Sequence, residues 1–295
     1  MLHAQYVAMY STPWMSDIVV GTMRWGIWDA KFTTAQYEAM IDTSMSLGMS
    51  TFDHADIYGD YTTEAEFGAA LKLHPEWRSQ MELVTKCGII RVCDQKPEHY
   101  IKAYDFTKSH ILQSAEDSLR NLQTDYLDLM LLHRPDLLMD PDEVAEAFEL
   151  LYTSGKVRSF GVSNFTPSQV KLLQSTVPVG VHQLEVSVKD VSAFDDGRLD
   201  QCALDGIVPM AWSPLGGGTL PNEMLTVLEP LATAFEVTPQ AIALAWLLQH
   251  SSGILPVVGT TKAENLEAAQ AALNIKVHRQ QGYTIYQAAT GTTLP

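Results

Sequence analysis

The sequence predicts an α/β chain folded as a closed (β/α)8, or TIM, barrel with long βα loops at its C-terminal face. Eight short apolar runs of strand type alternate along the chain with segments whose apolar residues recur at helical spacing. Alternation of this kind builds a parallel sheet, and the closed version commonly takes about 250 residues. The 295 residues contain no Pro-, Gly- or Ser-rich stretch and no charge block between the pairs, so residues 1–295 are expected to form one domain.

The first strand is Asp17 to Thr22 (DIVVGT), followed by a helix at Thr34 to Leu47 with a polar cap and apolar spacing. Next come Ser50 to Phe52 with helix Thr63 to Leu73, Met81 to Thr85 with helix Lys108 to Leu122, and Leu127 to Leu132 with helix Asp142 to Ser154. In the second half, Ser159 to Val162 precedes helix Pro167 to Ser175, Gly180 to Leu184 precedes Gly197 to Leu204, and Val208 to Ala211 precedes Glu223 to Phe235. Pro239 to His250 reads as an additional helix, and strand Leu255 to Val258 with helix Ala263 to Leu273 completes the set. Two connections, Lys86 to Thr107 and Glu185 to Asp196, exceed ordinary βα loops and are expected to wall a substrate pocket. The polar tail after Val277 is expected to pack across an open end of the barrel.

Hydrophobic residues make up 46% of the chain and charged residues 18%, a balance that buries a substantial core and excludes disorder over most of the length. Acidic residues outnumber basic ones 35 to 19, and a net charge of −16 repels nucleic acid and anionic membranes alike. The partner to expect is a small molecule. An anionic cofactor remains compatible, because helix N-termini and a lysine set the local field. Cys87, Cys93 and Cys202 are too few and too scattered for a disulfide framework and suit a reducing cytoplasm. The N-terminus MLHAQYVAMYSTPW has no basic segment leading into a long apolar one, and no run approaches 18 apolar residues. A cytoplasmic monomer or weak homo-oligomer is the expectation.

Four polar residues, Asp53, Tyr58, Lys86 and His133, each follow a strand-like run, and a barrel delivers all such positions to one face. Singly, each has an ordinary explanation: a helix cap, a packing tyrosine, a solvated lysine, a satisfied histidine. Together they make a proton-transfer device. A tyrosine is a poor acid near neutrality unless a neighbouring cation favours its ionised form, and Lys86 can be that cation. Asp53 would keep a buried lysine charged, and His133 could orient or polarise a carbonyl.

The segments TFDHADIYGDY, LVTKCG, LDLMLLHRPD, FGVSNF and MAWSPLGGG, in that order and at those intervals, resemble the aldo-keto reductases over nearly the whole chain. The wording DHADIYG and LLHRPDLLMDPDEV is most similar to the bacterial YdhF-like branch of oxidoreductases within that family. The resemblance implies a (β/α)8 barrel, a nicotinamide cofactor, Tyr58 as general acid, Lys86 and Asp53 as its tuning residues, and His133 as an aid to carbonyl orientation.

Neither G-x-G-x-x-G after an early strand nor G-x-x-x-x-G-K-[ST] occurs, so a dinucleotide must be held by other means. Ser163, Asn164 and Gln183, at the ends of the fifth and sixth strands, offer hydroxyl and amide groups suited to a carboxamide, though each could equally be a turn or cap. With the resemblance, Trp212 becomes a stacking face for the nicotinamide, and Ser213, Pro214, Leu215 and Gly216 to Gly218 a close path for the pyrophosphate. The cofactor set it implies also takes in Thr22 and Met23 after the first strand and Gly259 after the eighth. Thr260, Thr261 and the following helix N-terminus could receive a phosphate, with Lys262 as a point charge. The chain departs from the family at Asn265, where many relatives carry arginine, and at Ala268 and Ala269, where they carry an acid–amide pair for adenine. NADPH is the expected cofactor and NADH the alternative.

Trp25, Trp28 and Tyr61, in the first and second βα loops, are candidates for aromatic substrate walls. Cys87, Cys93, His99 and His54 form no HExxH, paired CxxC or facial set, so no metal is expected. Asn164-Phe165-Thr166 matches a glycosylation sequon, which a chain that is not secreted would not use. The function expected is reduction of an aldehyde or ketone to an alcohol. The alternatives are an NADP(H)-binding redox sensor or regulatory subunit with little turnover, and a metal-dependent barrel hydrolase.

Overall fold

The computed structural model describes residues 14–294, which form ten strands, ten α-helices and three short 3-10 helices; the N-terminal stretch read above for export signals lies mostly outside them. The strands are β1 (Val19–Gly21), β2 (Thr51–Asp53), β3 (Glu82–Cys87), β4 (Ile89–Ile90), β5 (Ala103–Tyr104), β6 (Leu129–Leu132), β7 (Phe160–Ser163), β8 (Val181–Glu185), β9 (Val208–Trp212) and β10 (Leu255–Val258). Eight of them close into a parallel barrel in the order β1-β10-β9-β8-β7-β6-β3-β2, the predicted fold. Val19 pairs with Val257 across the closing seam, and Val20 with Phe52 on the other side.

The strands alternate between two apolar environments, as a pleat of period two requires. Val19, Val84, Leu129, Leu131, Val181, Met210 and Val257 pack together as a plug inside the barrel. Their neighbours Val20, Leu83, Met130 and Val162 face outward into the larger core beneath the helices. Both faces are buried, which is why these strands read as continuous apolar runs rather than alternating ones.

The helices are α1 (Thr34–Ser46), α2 (Thr63–Leu71), α3 (Lys108–Leu122), α4 (Pro141–Thr153), α5 (Pro167–Gln174), α6 (Arg198–Asp205), α7 (Asn222–Phe235), α8 (Pro239–Leu248), α9 (Ala263–Gln270) and α10 (Arg279–Thr290). Their starts are locally encoded. Thr33 and Gln36 close a capping box on α1, the Thr33 N–H donating to Gln36 Oε1 at 2.9 Å, and Thr166 and Gln169 repeat it on α5. α2 and α3 approach so closely that a Cβ on Gly68 would lie 1.9 Å from the Asn121 carbonyl oxygen.

Two features differ from expectation. The long Lys86 to Thr107 connection contains the antiparallel ribbon β4–β5, with Ile90 opposite Ala103. The tail after Val277 does not simply cross an open end. It forms α10, which packs on α7, buries Ile285 and reaches Asp195 through the Tyr286 hydroxyl at 2.8 Å. Among the described residues no single helix is long and apolar enough to cross a membrane.

Candidate active site

The inward-facing row of the barrel changes character at its C-terminal end. Moving two residues along from the plug keeps a side chain on the inner face, and this step leads from Val19 to Gly21, Thr51 to Asp53, Val84 to Lys86 and Leu131 to His133. It leads equally from Gly161 to Ser163, Val181 to Gln183, Met210 to Trp212 and Val257 to Gly259. Seven of these eight end residues line one cavity of about 720 Å³, and Lys86 lies immediately beneath it, bonded to Asp53 and Tyr58. An apolar plug capped by one polar layer is therefore the direct product of eight strands in register.

Lys86 is wholly buried, and its ammonium makes three hydrogen bonds: to Asp53 Oδ2 at 2.8 Å, the His54 carbonyl oxygen at 2.7 Å and Tyr58 Oη at 2.9 Å. All three of its protons are used. The other Asp53 oxygen accepts from Gln183 Nε2 at 2.8 Å, which locks the carboxylate against the sheet. Tyr58 stands on the β2–α2 loop, where Gly59, Asp60 and Tyr61 all adopt positive φ and coil the chain sharply into α2. The Tyr58 and His133 rings meet edge-on at 6.1 Å, and Trp28 meets Tyr58 at 6.0 Å from another side.

Burial is the strongest influence on the Lys86 ammonium and opposes its charge, but Asp53 and Tyr58 outweigh it and hold the pKa above the usual lysine value. Burial also dominates at Tyr58. The Lys86 charge pulls the phenol down as expected, yet desolvation together with Asp53 leaves its pKa above the ordinary 10.0. Tyr58 is thus a phenol held in its proton-bearing form. Burial, reinforced by Lys86, Arg134 and Lys102, drives His133 well below 6.5, so its imidazole is neutral. His133 Nδ1 is buried without a partner.

The cavity runs from Tyr58 past Ser163, Asn164 and Trp212 to Gly259, Thr260 and Asn265. Trp212 Nε1 donates to Asn164 Oδ1 at 2.9 Å, and Asn164 Nδ2 donates to Ser163 Oγ at 2.7 Å. Among the described residues these bonds leave the Ser163 hydroxyl proton and Gln183 Oε1 without protein partners, a donor and an acceptor on paired positions of neighbouring strands. Gly217 and Gly218 have positive φ and nothing within 4 Å of an added Cβ, so their backbone is open to a ligand. Met23, Ser213, Pro214 and Leu215 complete this part of the wall, and Ala268 and Ala269 lie at the far end. An elongated cavity with a carboxamide-compatible pair, an aromatic plate and exposed glycine backbone fits a nicotinamide dinucleotide.

Several expected residues stand back from the wall. Trp25 is completely buried among Phe32, Tyr37, Phe52 and Phe67 and donates to the Thr260 carbonyl at 2.7 Å; it is a core residue, not a substrate wall. Thr22 is turned inward, its Oγ1 donating to the Asp53 carbonyl at 3.0 Å and lying 2.9 Å from His54 Nδ1, so it braces the Asp53–His54 backbone and does not line the cavity. Tyr61 braces the β4 segment, accepting from Arg91 N at 3.1 Å. Gly216 is covered by the Lys189 side chain, whose Nζ donates to the Gly216 carbonyl at 2.8 Å. Thr261 and the exposed Lys262 lie beyond the cavity's edge at the start of α9. Asn265 Nδ2 donates to Thr260 Oγ1 at 3.0 Å.

The structure adds Arg24, Ile57, Ile89, Lys102, Arg134, Thr238, Gln240 and Leu244 to the wall. Arg134 follows His133 directly and was within reach of the strand-end argument. Lys102 and the α8 residues arrive by long-range packing, for which the local sequence carries no signal. Among the described residues no three His, Cys, Asp or Glu side chains gather to hold a metal ion.

A model of the aldo/keto reductase family matches residues 17–289. Oxidoreductase YdhF of Escherichia coli (strain K12) is 44% identical to the chain over 293 residues, covering 96% of each sequence. The 6-dehydroglucose reductase of Agrobacterium fabrum (strain C58) is 40% identical over 293 residues, covering 97% of this chain and 98% of that one. Among solved structures, an aldo/keto reductase from Klebsiella pneumoniae in complex with NADP and acetate superposes with a TM-score of 0.78 at 26% identity, over 95% of this chain and 93% of that one.

Proposed function

The chain belongs to the aldo/keto reductase family, and from that premise we propose that it is a cytoplasmic NADPH-dependent reductase of aldehyde or ketone carbonyls, with Tyr58 as the general acid. One observation carries the reading: Lys86 Nζ donates to Tyr58 Oη at 2.9 Å. An oxygen that accepts from an ammonium directs its own proton elsewhere, and among the described residues no protein acceptor takes it. The Tyr58 proton is therefore available to a carbonyl oxygen in the cavity.

NADPH, when bound, supplies hydride to the carbonyl carbon. Tyr58 protonates the oxygen, and the Lys86 ammonium stabilises the phenolate left behind while Asp53 keeps that ammonium charged and in place. Neutral His133 can donate one N–H to the same carbonyl oxygen and fix its direction. Ser163, Asn164 and Gln183 would hold the carboxamide, Trp212 would face the ring, and Gly217 and Gly218 would lie against the pyrophosphate. Thr260, Asn265 and the α9 N-terminus, with Thr261 and Lys262 at its rim, suit the distal phosphate. The NADP complex of the Klebsiella neighbour supports NADPH over NADH. The free cysteines Cys87, Cys93 and Cys202 suit a reducing compartment.

With Trp25 and Tyr61 off the wall and Arg24, Lys102 and Arg134 on it, a polar carbonyl fits better than the apolar one that aromatic walls would favour. The Agrobacterium relative, named for 6-dehydroglucose, supports a sugar aldehyde. Tyr58→Phe tests the assignment: NADPH oxidation by aldehydes should fall about 10²- to 10⁴-fold, while quenching of tryptophan fluorescence by NADPH persists. A variant that keeps most of its turnover rules Tyr58 out as the acid. Wild-type protein that binds NADPH but oxidises none of it with any aldehyde is a sensor instead.

A further inference from the structure

In a chain of net charge −16, the cavity wall carries three cations, Arg24, Lys102 and Arg134, and one carboxylate, Asp53. Asp53 has no charge to spare, since one oxygen is held by Lys86 and the other by Gln183. Arg24 is engaged by Asp29. Lys102 and Arg134 have no carboxylate at ion-pair distance among the described residues. Glu185 feels the Arg134 charge without pairing to it.

Both cations are positioned by built structure. Arg134 continues β6 one residue beyond His133, and its guanidinium lies 5.6 Å from the Trp212 ring centroid. Lys102 immediately precedes β5, whose first residue Ala103 pairs with Ile90, so the ribbon carries it to the cavity mouth. Both charges also disfavour a proton on His133, which puts them at the reactive end of the cavity rather than at the Thr260 end.

We propose that the cavity takes a carbonyl compound bearing an anionic group, a carboxylate, phosphate or sulfonate, which Lys102 and Arg134 hold while the carbonyl meets Tyr58. The proposal rests on the carbonyl-reductase reading and narrows its substrate class. Hydrogen bonds from cations to an anion are short and strong, and a partly enclosed site screens them less than open water does. The aldehyde is reduced as above, with hydride to carbon and the Tyr58 proton to oxygen; the anionic group is only a handle.

The test compares substrates that differ in that charge alone. NADPH oxidation is followed at low ionic strength with 4-carboxybenzaldehyde against 4-formylbenzamide, and with D-glucuronate against D-glucuronamide. The anionic member of each pair should have the higher kcat/KM by about tenfold, the scale of one charge-assisted hydrogen bond. Salt should erode that preference, and Lys102→Gln and Arg134→Gln should each bring the ratio toward one, mainly through KM. Equal or lower kcat/KM for the anions overturns the proposal, as does a ratio that survives both substitutions. NADPH titrations of the two variants by tryptophan fluorescence provide the control. Cofactor binding weakened enough to slow both members of a pair equally assigns the cations to the cofactor and likewise overturns it. No NADPH oxidation with any of the four aldehydes defeats the carbonyl-reductase reading itself.

Discussion

Lys86 uses every N–H it has on Asp53, His54 and Tyr58, and that single fact organises the site. Removing it in Lys86→Met leaves the buried Asp53 carboxylate without its counter-ion, which should cost about 3–5 kcal/mol, read as a fall in the urea midpoint together with lost turnover. Tyr58, with its pKa above 10.0, keeps its proton, and His133, well below 6.5, stays neutral. The proposed reduction needs both of those forms. Its kcat/KM should accordingly be level from about pH 6.5 to 9.5. A limb centred near pH 6.5 would mean that His133 titrates normally and would contradict its neutral role. The meeting of Asp53, Tyr58, Lys86 and His133 is legible at this scale because each follows an apolar run. Trp25 shows the limit of that legibility. Nothing in the string RWGIWDA tells which indole points to solvent space and which to the core, and the packing of Phe32, Tyr37, Phe52 and Phe67 decides it.

Elements repeat this division. Strand and helix limits follow from apolar period, caps and prolines, and the barrel strands and α1 to α9 lie where those signals put them. β4 and β5 are two residues each, too short for any period to register, and exist because they pair with one another. α10 carries Gly282 in its interior and fully buries only Ile285, with Ala288 and Ala289 packed beside it, so its apolar stripe spans little more than one turn; α7 and the Asp195 loop supply the surface that stabilises it. Contact between elements sets one glycine: on α2, any side chain at 68 runs into the α3 backbone at Asn121. Gly68→Ala should raise intrinsic helix propensity and nevertheless lower stability by about 1–3 kcal/mol through overpacking. A urea midpoint equal to or above wild type would show that the helices separate freely.

At the scale of the whole molecule, buried histidines set the acid limit. His54 and His182 are fully buried, and burial brings each down to about 3. Below their unfolded value of 6.5 the unfolded chain takes up protons that the folded chain refuses. Stability should hold above pH 6.5 and drain away as pH falls toward 3, by roughly 2 kcal/mol per histidine at pH 5. Burial pushes Asp56 and Glu64 up, and these carboxyls contribute with the opposite sign as pH falls. The histidine share is therefore read by comparing the loss of urea midpoint from pH 7 to pH 5 in wild type with that in His182→Gln, and equal losses would mean that the His182 imidazole is not buried neutral.

The sequence by itself determined the alternation of strands and helices, hence a barrel, and placed Asp53, Tyr58, Lys86 and His133 at or just beyond strand ends. It could do so because period, caps and strand termini are local properties of the chain. Tertiary structure alone decided the net direction of the Tyr58 pKa, the retreat of Trp25, Thr22 and Tyr61 from the wall, and the arrival of Lys102 in the same wall as Arg134. Each of these depends on how much water a group loses and which charges face it, and both are set by residues distant in the chain.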